Sequence, residues 1–308
     1  MEGNLNVVIN KKLKQELIQK LSDYYPSMYV YQIRTILSSE IEDYARYCAS
    51  QFMGRTTFNF LTPFRRENDS KVIDLPWETK MRIYDNSNAI VIKRKMNPLD
   101  NLIIGDLNLK QQSEIVTNLI NDLDLDRYRL QFEKLKLQFI SNIKAGGINV
   151  EGERAPEVLC RIVGEFKRYI NSVPVFGTIP FLIKIAANRL LESITIHWRP
   201  IQERPIDNPR IINPETAAEK ILTKLNSFLP NKELTLELYE PIFFALGYYS
   251  KPKREVQKYM QPVYLAIFRP VGMKTFNPMI VLPATNHIYE NLDTILNERK
   301  FKKKPMNE

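Results

Sequence analysis

The spacing of hydrophobic residues near the N terminus predicts two amphipathic helices. Apolar residues recur every three or four positions from Leu13 to Leu21 and again from Ile33 to Ala45, which places them on one face of a helix. The Tyr25-Pro26 pair separates the two segments, because the residue before a proline disfavours helical angles. We therefore predict a helical N-terminal segment over residues 1–54.

A first α+β unit is predicted over residues 55–150. Apolar residues occupy every second position from Thr56 to Phe64, which is typical of a strand, and the charged segment 65–74 is predicted to be a loop. Residues 79–84 and 89–93 then flank four polar residues that tolerate left-handed backbone angles, so we expect a hairpin.

A helix and a further strand complete this first unit. Asn108 precedes a stripe of apolar residues formed by Ile115, Leu119 and Ile120, and its side chain is suited to cap the helix N terminus. Alternating apolar residues then predict a strand from Leu130 to Phe139.

The same order of elements is predicted again in a second unit, residues 151–290. Its strands are predicted at residues 160–170, 173–175, 181–185, 193–199, 234–249 and 262–268. Asn213 is suited to cap its helix, with Pro214 in the first turn. Corresponding positions, such as Ile90 and Ile194, lie near 104 residues apart, which predicts an internal duplication. Each unit would then be one helix packed on a mostly antiparallel sheet, leaving a polar sheet face open for contact.

Three segments of the second unit form a distinctive combination: Arg168–Gly177, the Trp198-Arg199 pair after a hairpin, and the helix opening Asn213–Ala218. Together they resemble the propeptide modules of secreted thermolysin-type metalloproteases, which combine a fungalysin-type module with PepSY domains. The resemblance covers mainly residues 155–285, and a weaker resemblance covers residues 78–141. It implies an α+β fold of tandem cystatin-like units, and a role in inhibition, chaperoning or binding of a partner protein rather than in chemistry.

The charge of the chain is concentrated at its C-terminal end. The chain has 44 basic and 35 acidic residues, a net charge of +9, and five of the basic residues lie in a basic tail, residues 291–308. The candidate anion-binding residues of this tail are Lys300, Lys302, Lys303 and Lys304. An association with nucleic acid is therefore an alternative function.

The N-terminal residues and the cysteines predict a cytoplasmic protein. The first residues lack the apolar core of a signal peptide, and no apolar stretch has the about 20 residues that a membrane span needs. Cys48 and Cys160 alone do not make a disulfide framework, so we expect a reducing compartment and no membrane span.

The sequence provides no motif for catalysis or for a cofactor. The chain has only two histidines, His197 and His287, and neither has the spacing of a zinc site. It has no glycine-rich phosphate loop and no nucleophile elbow. We therefore predict no catalytic, metal or cofactor-binding residue. An enzyme whose site follows no linear motif is the second alternative.

The candidate partner-binding residues are aromatic residues and one arginine: Tyr248, Tyr249, Tyr264, Trp198 and Arg199. Tyrosine, tryptophan and arginine are favoured at protein interfaces. The same aromatic strands are also typical of a buried strand pair, and this alternative stays open. The leading hypothesis is a non-enzymatic protein-binding, inhibitor-like or chaperone-like module whose partner is another protein.

Overall fold

The computed structural model describes residues 11–54, 62–97, 107–147, 152–154, 156–187, 190–227, 239–271 and 277–292. These residues contain helices α1 (Lys11–Gln19), α2 (Ser38–Phe52), α3 (Leu109–Asn121) and α4 (Pro214–Ser227). The shorter strands are β1 (Tyr31–Gln32), β2 (Arg65–Glu67), β3 (Ser70–Leu75), β4 (Thr79–Tyr84), β5 (Ile90–Arg94), β8 (Val173–Gly177), β9 (Phe181–Ile185), β10 (Leu191–Ile196), β12 (Tyr259–Met260) and β14 (Met279–Pro283). The longer strands are β6 (Glu133–Ala145), β7 (Val158–Ile170), β11 (Tyr239–Ser250) and β13 (Pro262–Pro270). The fold is therefore α+β.

The chain divides into two compact units, each made of segments that are distant in sequence. The central unit consists of Ile33–Glu203 and Ser250–Lys258. The terminal unit consists of Met1–Gln32, Arg204–Tyr249 and Tyr259–Glu308.

The central unit contains an antiparallel sheet with the strand order β8-β7-β9-β10-β5-β4-β3-β2. Strand β6 pairs antiparallel with β7, outside this order. Helix α2 contacts β4 and β5, and α3 contacts β6 and β7. One face of the sheet is thereby covered, and buried residues from both helices and from the strands form a single core, which includes Tyr44, Val116 and Ile183.

Helix α3 begins as the sequence predicts. Asn108 accepts a hydrogen bond from the backbone N–H of Gln111, and the Gln111 side chain accepts one from the Asn108 N–H, both at 2.9 Å. This capping box satisfies two of the N–H groups that a helix start leaves without partners. Val116 then packs so closely on β7 that a Cβ atom at Gly164 would lie 2.5 Å from its Cγ1.

The terminal unit packs α4 on an antiparallel sheet of β11, β13 and β14. Helix α4 also contacts α1, and Lys14 forms an ion pair with Glu219 between these two helices. In the sheet, the rings of Phe244 and Tyr264 stack with centroids 5.3 Å apart. The Tyr264 hydroxyl donates to the Ile212 carbonyl oxygen at 2.8 Å.

Several predicted elements are confirmed, and others need correction. The hairpin of β4 and β5 and the helix capped by Asn213 are present, the Thr216 N–H lying 2.7 Å from the Asn213 side-chain oxygen. The prediction of a loop at 65–74 is wrong, because β2 and β3 form a hairpin there. Val72 of this hairpin is buried, and charged residues of the two strands pair with each other, as Arg65 does with Asp74. Helix α2 is shorter than predicted and begins at Ser38 rather than near Ile33. The Ile33 N–H donates to the Lys258 carbonyl oxygen and not to a helical partner. Most of the predicted strand at 56–64 lies outside the described residues.

The predicted division into units at residue 150 differs from the structure. The order of hairpin, helix and strand occurs at both predicted places. However, β10 of the second hairpin pairs directly with β5 of the first, as in the Ile194–Ile92 register. Both hairpins therefore belong to one sheet in the central unit, whereas α4 and β11 belong to the terminal unit.

Within the described residues, no helix is long and apolar enough to cross a membrane.

Candidate binding sites

The three tyrosines predicted to bind a partner lie in the interior of the protein. Tyr248, Tyr249 and Tyr264 expose 2% of their surface or less, so they do not form an accessible surface. The Tyr248 hydroxyl donates to the Tyr29 carbonyl oxygen at 3.0 Å, and burial raises the pKa of both Tyr248 and Tyr264. These side chains therefore belong to the core of the terminal unit, where internal carbonyl groups accept their hydrogen bonds.

Arg199, the predicted interface arginine, is also buried, in the central unit. Its guanidinium donates to the carbonyl oxygens of Glu255 at 2.7 Å, Pro252 at 3.0 Å and Asn86 at 3.3 Å. Arg199 therefore attaches residues 250–258 to the rest of the central unit and is not available to a partner.

Trp198, the remaining predicted residue, packs against a buried ion pair. The Arg168 guanidinium lies 4.4 Å from the centre of its ring and donates to Glu133 from two nitrogens. A third nitrogen of Arg168 donates to the Arg199 carbonyl oxygen at 2.8 Å. Burial lowers the pKa of Arg168, and the Glu133 carboxylate opposes this change. Trp198 is thus one wall of this polar cluster, and among the described residues its own Nε1–H has no hydrogen-bond partner.

His197 lies beside this cluster without a hydrogen-bond partner. Its side chain is buried, and neither ring nitrogen has a partner in the structure. Burial lowers the pKa of His197 to about 3, and the nearby cations Arg199, Lys253 and Arg168 add to the effect. The imidazole is therefore neutral near pH 7 and does not exchange protons there.

The described residues also lack the usual parts of a nucleophilic or metal site. No group of three or more His, Cys, Asp or Glu side chains in them could hold a metal ion. Burial raises the pKa of Cys48 to about 12, and both Cys48 and Cys160 are buried thiols. A thiol in that state is a poor nucleophile, because the thiolate is the reactive form.

The accessible polar surface of the central unit is the sheet face opposite α2 and α3, called here the open face. Cross-strand register aligns the following residues on it, all at least partly exposed: Lys80, Arg82, Val91, Lys93, Thr195, Ser193, Leu182, Lys184, Glu165, Val163, Phe139 and Ser141. On β4, β5, β7, β9 and β10 their neighbours along the strand are buried, as the two-residue period of a strand requires.

The β4–β5 end of the open face is basic. Lys80 and Lys93 are directly opposite each other in the register, an arrangement of like charges that destabilises a strand pair. Both line a groove of about 530 Å³ together with Arg82 and Lys95. Lys93 has no ion-pair partner among the described residues, whereas Lys80 has only Asp74, at 4.0 Å. The predicted anion-binding residues, Lys300, Lys302, Lys303 and Lys304, lie outside the described residues.

Strand β6 forms the opposite, less basic border of the open face. It is 13 residues long and pairs only with β7 among the strands of the described segments. Phe139 and Ile143, four residues apart and on the same face, expose 59% and 40% of their surface. We call the unpaired side of this strand, with those two side chains, the β6 edge. A long edge strand with exposed apolar residues can accept a further strand.

The chain matches no protein-family model and no curated protein. Its fold is similar to that of an uncharacterized protein from Eubacterium rectale ATCC 33656, whose crystal structure was determined at 1.45 Å resolution. The two share 9% sequence identity with a TM-score of 0.50, over 89% of this chain and 91% of that chain. At this identity the likeness concerns the fold alone and gives no residue a role.

Proposed function

We propose that the protein is a non-enzymatic protein-binding module, and that its partner adds an extended segment to the β6 edge. The observation that carries the proposal is the unpaired side of β6 beside the exposed Phe139 and Ile143. In such a complex the backbone groups of β6 provide affinity, and alternate side chains provide specificity. The partner's side chains would then lie on the open face.

Charge favours an acidic partner segment over a second copy of this chain. Between Lys134 and Ala145, β6 carries three lysines and no acidic residue. A pair of β6 strands from two copies would bring these lysines together, and opposed like charges destabilise a strand pair. An acidic segment would instead complement them.

The proposal agrees with the role that the PepSY resemblance implies, namely inhibition, chaperoning or binding of another protein. The cystatin-like character of the units and the internal duplication belong to the same proposal. Both are supported by the recurring order of hairpin, helix and strand, with Ile90 and Ile194 at corresponding positions. The hairpin of the second copy lies in the central unit, whereas its helix α4 and strand β11 lie in the terminal unit.

Affinity capture with matched surface variants tests this function. Phe139→Ser removes an exposed ring from the β6 edge, and Leu109→Ser removes an equally exposed side chain from the start of α3. We expect the wild type and Leu109→Ser to retain the same protein. Its affinity for Phe139→Ser should be lower by a factor of about 30 or more, as expected when a central apolar anchor is removed. A partner that binds both variants equally contradicts the proposal.

The basic groove supports nucleic acid as the second candidate partner, because Lys80 and Lys93 oppose each other without a strong counter-charge. The same capture experiment distinguishes the two. Material that nuclease removes, and whose binding falls steeply with salt, would favour nucleic acid, since released counterions drive that interaction. A protein partner should survive nuclease treatment.

A further inference from the structure

A second cavity of the central unit lies on the other side of its sheet, between the end of α2, the turn that joins β3 to β4, and α3. Its volume is about 480 Å³, which lies within the range of small-molecule sites. The wall is mainly apolar and consists of Phe52, Met53, Trp77, Leu119, Leu190 and Leu191. The one charged side chain in the lining is Arg94.

Arg94 is a buried cation that has no carboxylate partner in the part of the chain that the structure describes. Its side chain is 8% exposed. One nitrogen donates to the Thr79 hydroxyl at 3.4 Å and another to the Met53 sulfur at 3.7 Å. Its other contacts are the rings of Phe52 and Trp77, each centred 5.3 Å from the guanidinium carbon. Among the described residues no anion neutralises it.

Three other arginines of the central unit are deeply buried. Arg161 pairs with Glu192 and Arg168 with Glu133, whereas Arg199 donates to several backbone carbonyl oxygens. An uncompensated buried charge is unfavourable, and among the described residues Arg94 has neither a carboxylate nor a carbonyl oxygen as its partner. Arg94 borders the cavity, where a bound anion can reach its guanidinium.

The turn that places Trp77 over Arg94 has a strained backbone. Trp77 and the following Glu78 have φ angles of 55° and 50°, in the left-handed region that bulky residues rarely adopt. The indole of Trp77 is nevertheless 57% exposed at the mouth of the cavity. Strain of this kind is often found at ligand sites, where the surrounding structure maintains it.

We propose that this cavity binds an apolar small molecule that carries one carboxylate, with the carboxylate on Arg94 and the apolar part against Phe52, Trp77 and Leu119. A guanidinium accepts a carboxylate through two parallel hydrogen bonds. Among the described residues, the lining contains no second cation and no acidic residue, so this part of the wall fits a single negative charge. Phosphate and other small inorganic anions are suited better to the basic groove, which Arg94 also borders together with Lys93 and Lys95.

Binding of decanoate, decanol and decylamine to the full chain tests the proposal. Calorimetry gives the affinities, and a change in tryptophan fluorescence that Trp77→Phe abolishes shows that the ligand reaches the cavity. Decanoate should bind the wild type about 10- to 100-fold more tightly than decanol, because hydrogen bonds to a charged group are the stronger ones. Decylamine should bind more weakly still. Inorganic phosphate should not displace decanoate.

Two variants and one control identify the site. Arg94→Met keeps an unbranched, flexible side chain but removes the charge, so it should bind decanoate and decanol equally. Leu119→Trp keeps Arg94 and fills part of the cavity, so it should weaken both ligands. Lys95→Gln removes the exposed cation that directly follows Arg94 and should change neither affinity.

Three results would overturn the proposal. The first is a wild type that binds decanoate no better than decanol or binds neither. The second is an Arg94→Met variant, folded by circular dichroism, that keeps the preference for decanoate. The third is a Leu119→Trp variant with unchanged affinities.

Discussion

Among single residues, His197 should have the largest effect on how the stability of the central unit depends on pH. Its imidazole is buried without a hydrogen-bond partner beside several cations. Protonation would therefore add an unpaired charge to a cationic interior. The folded protein opposes that change, and the unfolded chain does not.

We expect acid to destabilise the protein through this residue. The pKa of His197 falls from 6.5 to about 3 on folding, so between these pH values the unfolded chain binds more protons and stability decreases as the pH falls. Between pH 7 and pH 5 the loss should be about 2 kcal/mol. Urea unfolding of the wild type and of His197→Met, which cannot take up the proton, measures it. His287→Gln, which removes the exposed histidine, should retain the loss; an equal loss in His197→Met would refute the assignment.

Residue types alone did not distinguish the surface from the core. Tyr248 and Tyr264 have a large apolar ring and one hydroxyl, which suit an interface and a core equally. Their hydroxyl groups donate to carbonyl oxygens inside the protein, and both side chains therefore lie in the core. No local sequence pattern reveals these partners. One feature of the sequence could have indicated the Arg94 cavity, namely a tryptophan, Trp77, at the centre of the turn from Pro76 to Thr79.

At the scale of elements, the contact between α3 and β7 depends on one glycine. Val116 of α3 lies where a side chain at Gly164 would be, and Ile183 of the neighbouring strand lies 3.1 Å from the same point. The helix can approach the sheet this closely only because residue 164 has no Cβ atom.

Gly164→Ala should therefore destabilise the central unit by about 1–3 kcal/mol, the usual effect of overpacking a core. Val116→Ala removes the atoms that clash but leaves a cavity when made alone. The double variant should lose clearly less stability than the sum of the two single variants. Urea unfolding of all three gives this coupling, and strictly additive losses would show that the helix is not held at this point.

Local signals predicted the elements whose ends are fixed by local contacts. The Asn108 cap and the polar turn between β4 and β5 each act within a few residues, so their patterns could be recognised. The β2–β3 hairpin was missed because its stabilising contacts are distant: Arg82 of β4 pairs with Glu67 of β2 at 2.8 Å. A charged segment whose partners lie on another strand has the composition of a loop.

At the scale of the whole molecule, Arg199 determines how firmly residues 250–258 are attached to the central unit. Its guanidinium contacts the carbonyl oxygens of Pro252 and Glu255. Ser87 supports the same segment by donating to the Lys253 carbonyl oxygen at 2.6 Å. The segment contains Lys253 and Arg254, which trypsin recognises.

Arg199→Met should loosen this segment and expose it to trypsin. Loss of one hydrogen bond from a charged donor should increase the population of the open segment about 10-fold or more. The rate of cleavage after Lys253 and Arg254, followed by mass spectrometry at low trypsin concentration, measures this change. Lys95→Gln is the control, since it removes an exposed cation elsewhere in the unit. Equal cleavage rates in the wild type and Arg199→Met would contradict the anchoring role.

The division into two units could not be derived from the sequence pattern. It depends on the pairing of β10 with β5, which joins Ile194 to Ile92. Each of these strands is recognisable alone, but alternation does not indicate which strand is its neighbour. Periodicity therefore predicted the hairpins and left their arrangement in one sheet undetermined.

The late position of residues 250–258 in the chain has a consequence for the order in which the protein matures on the ribosome. Arg199 is synthesised about fifty residues before the carbonyl groups of Pro252 and Glu255 that surround it. Until those residues emerge, its guanidinium must remain hydrated, and the central unit is unfinished. The terminal unit begins with the first residues but needs β13 and β14 to close its sheet. A nascent chain halted after residue 249 would thus leave both units incomplete.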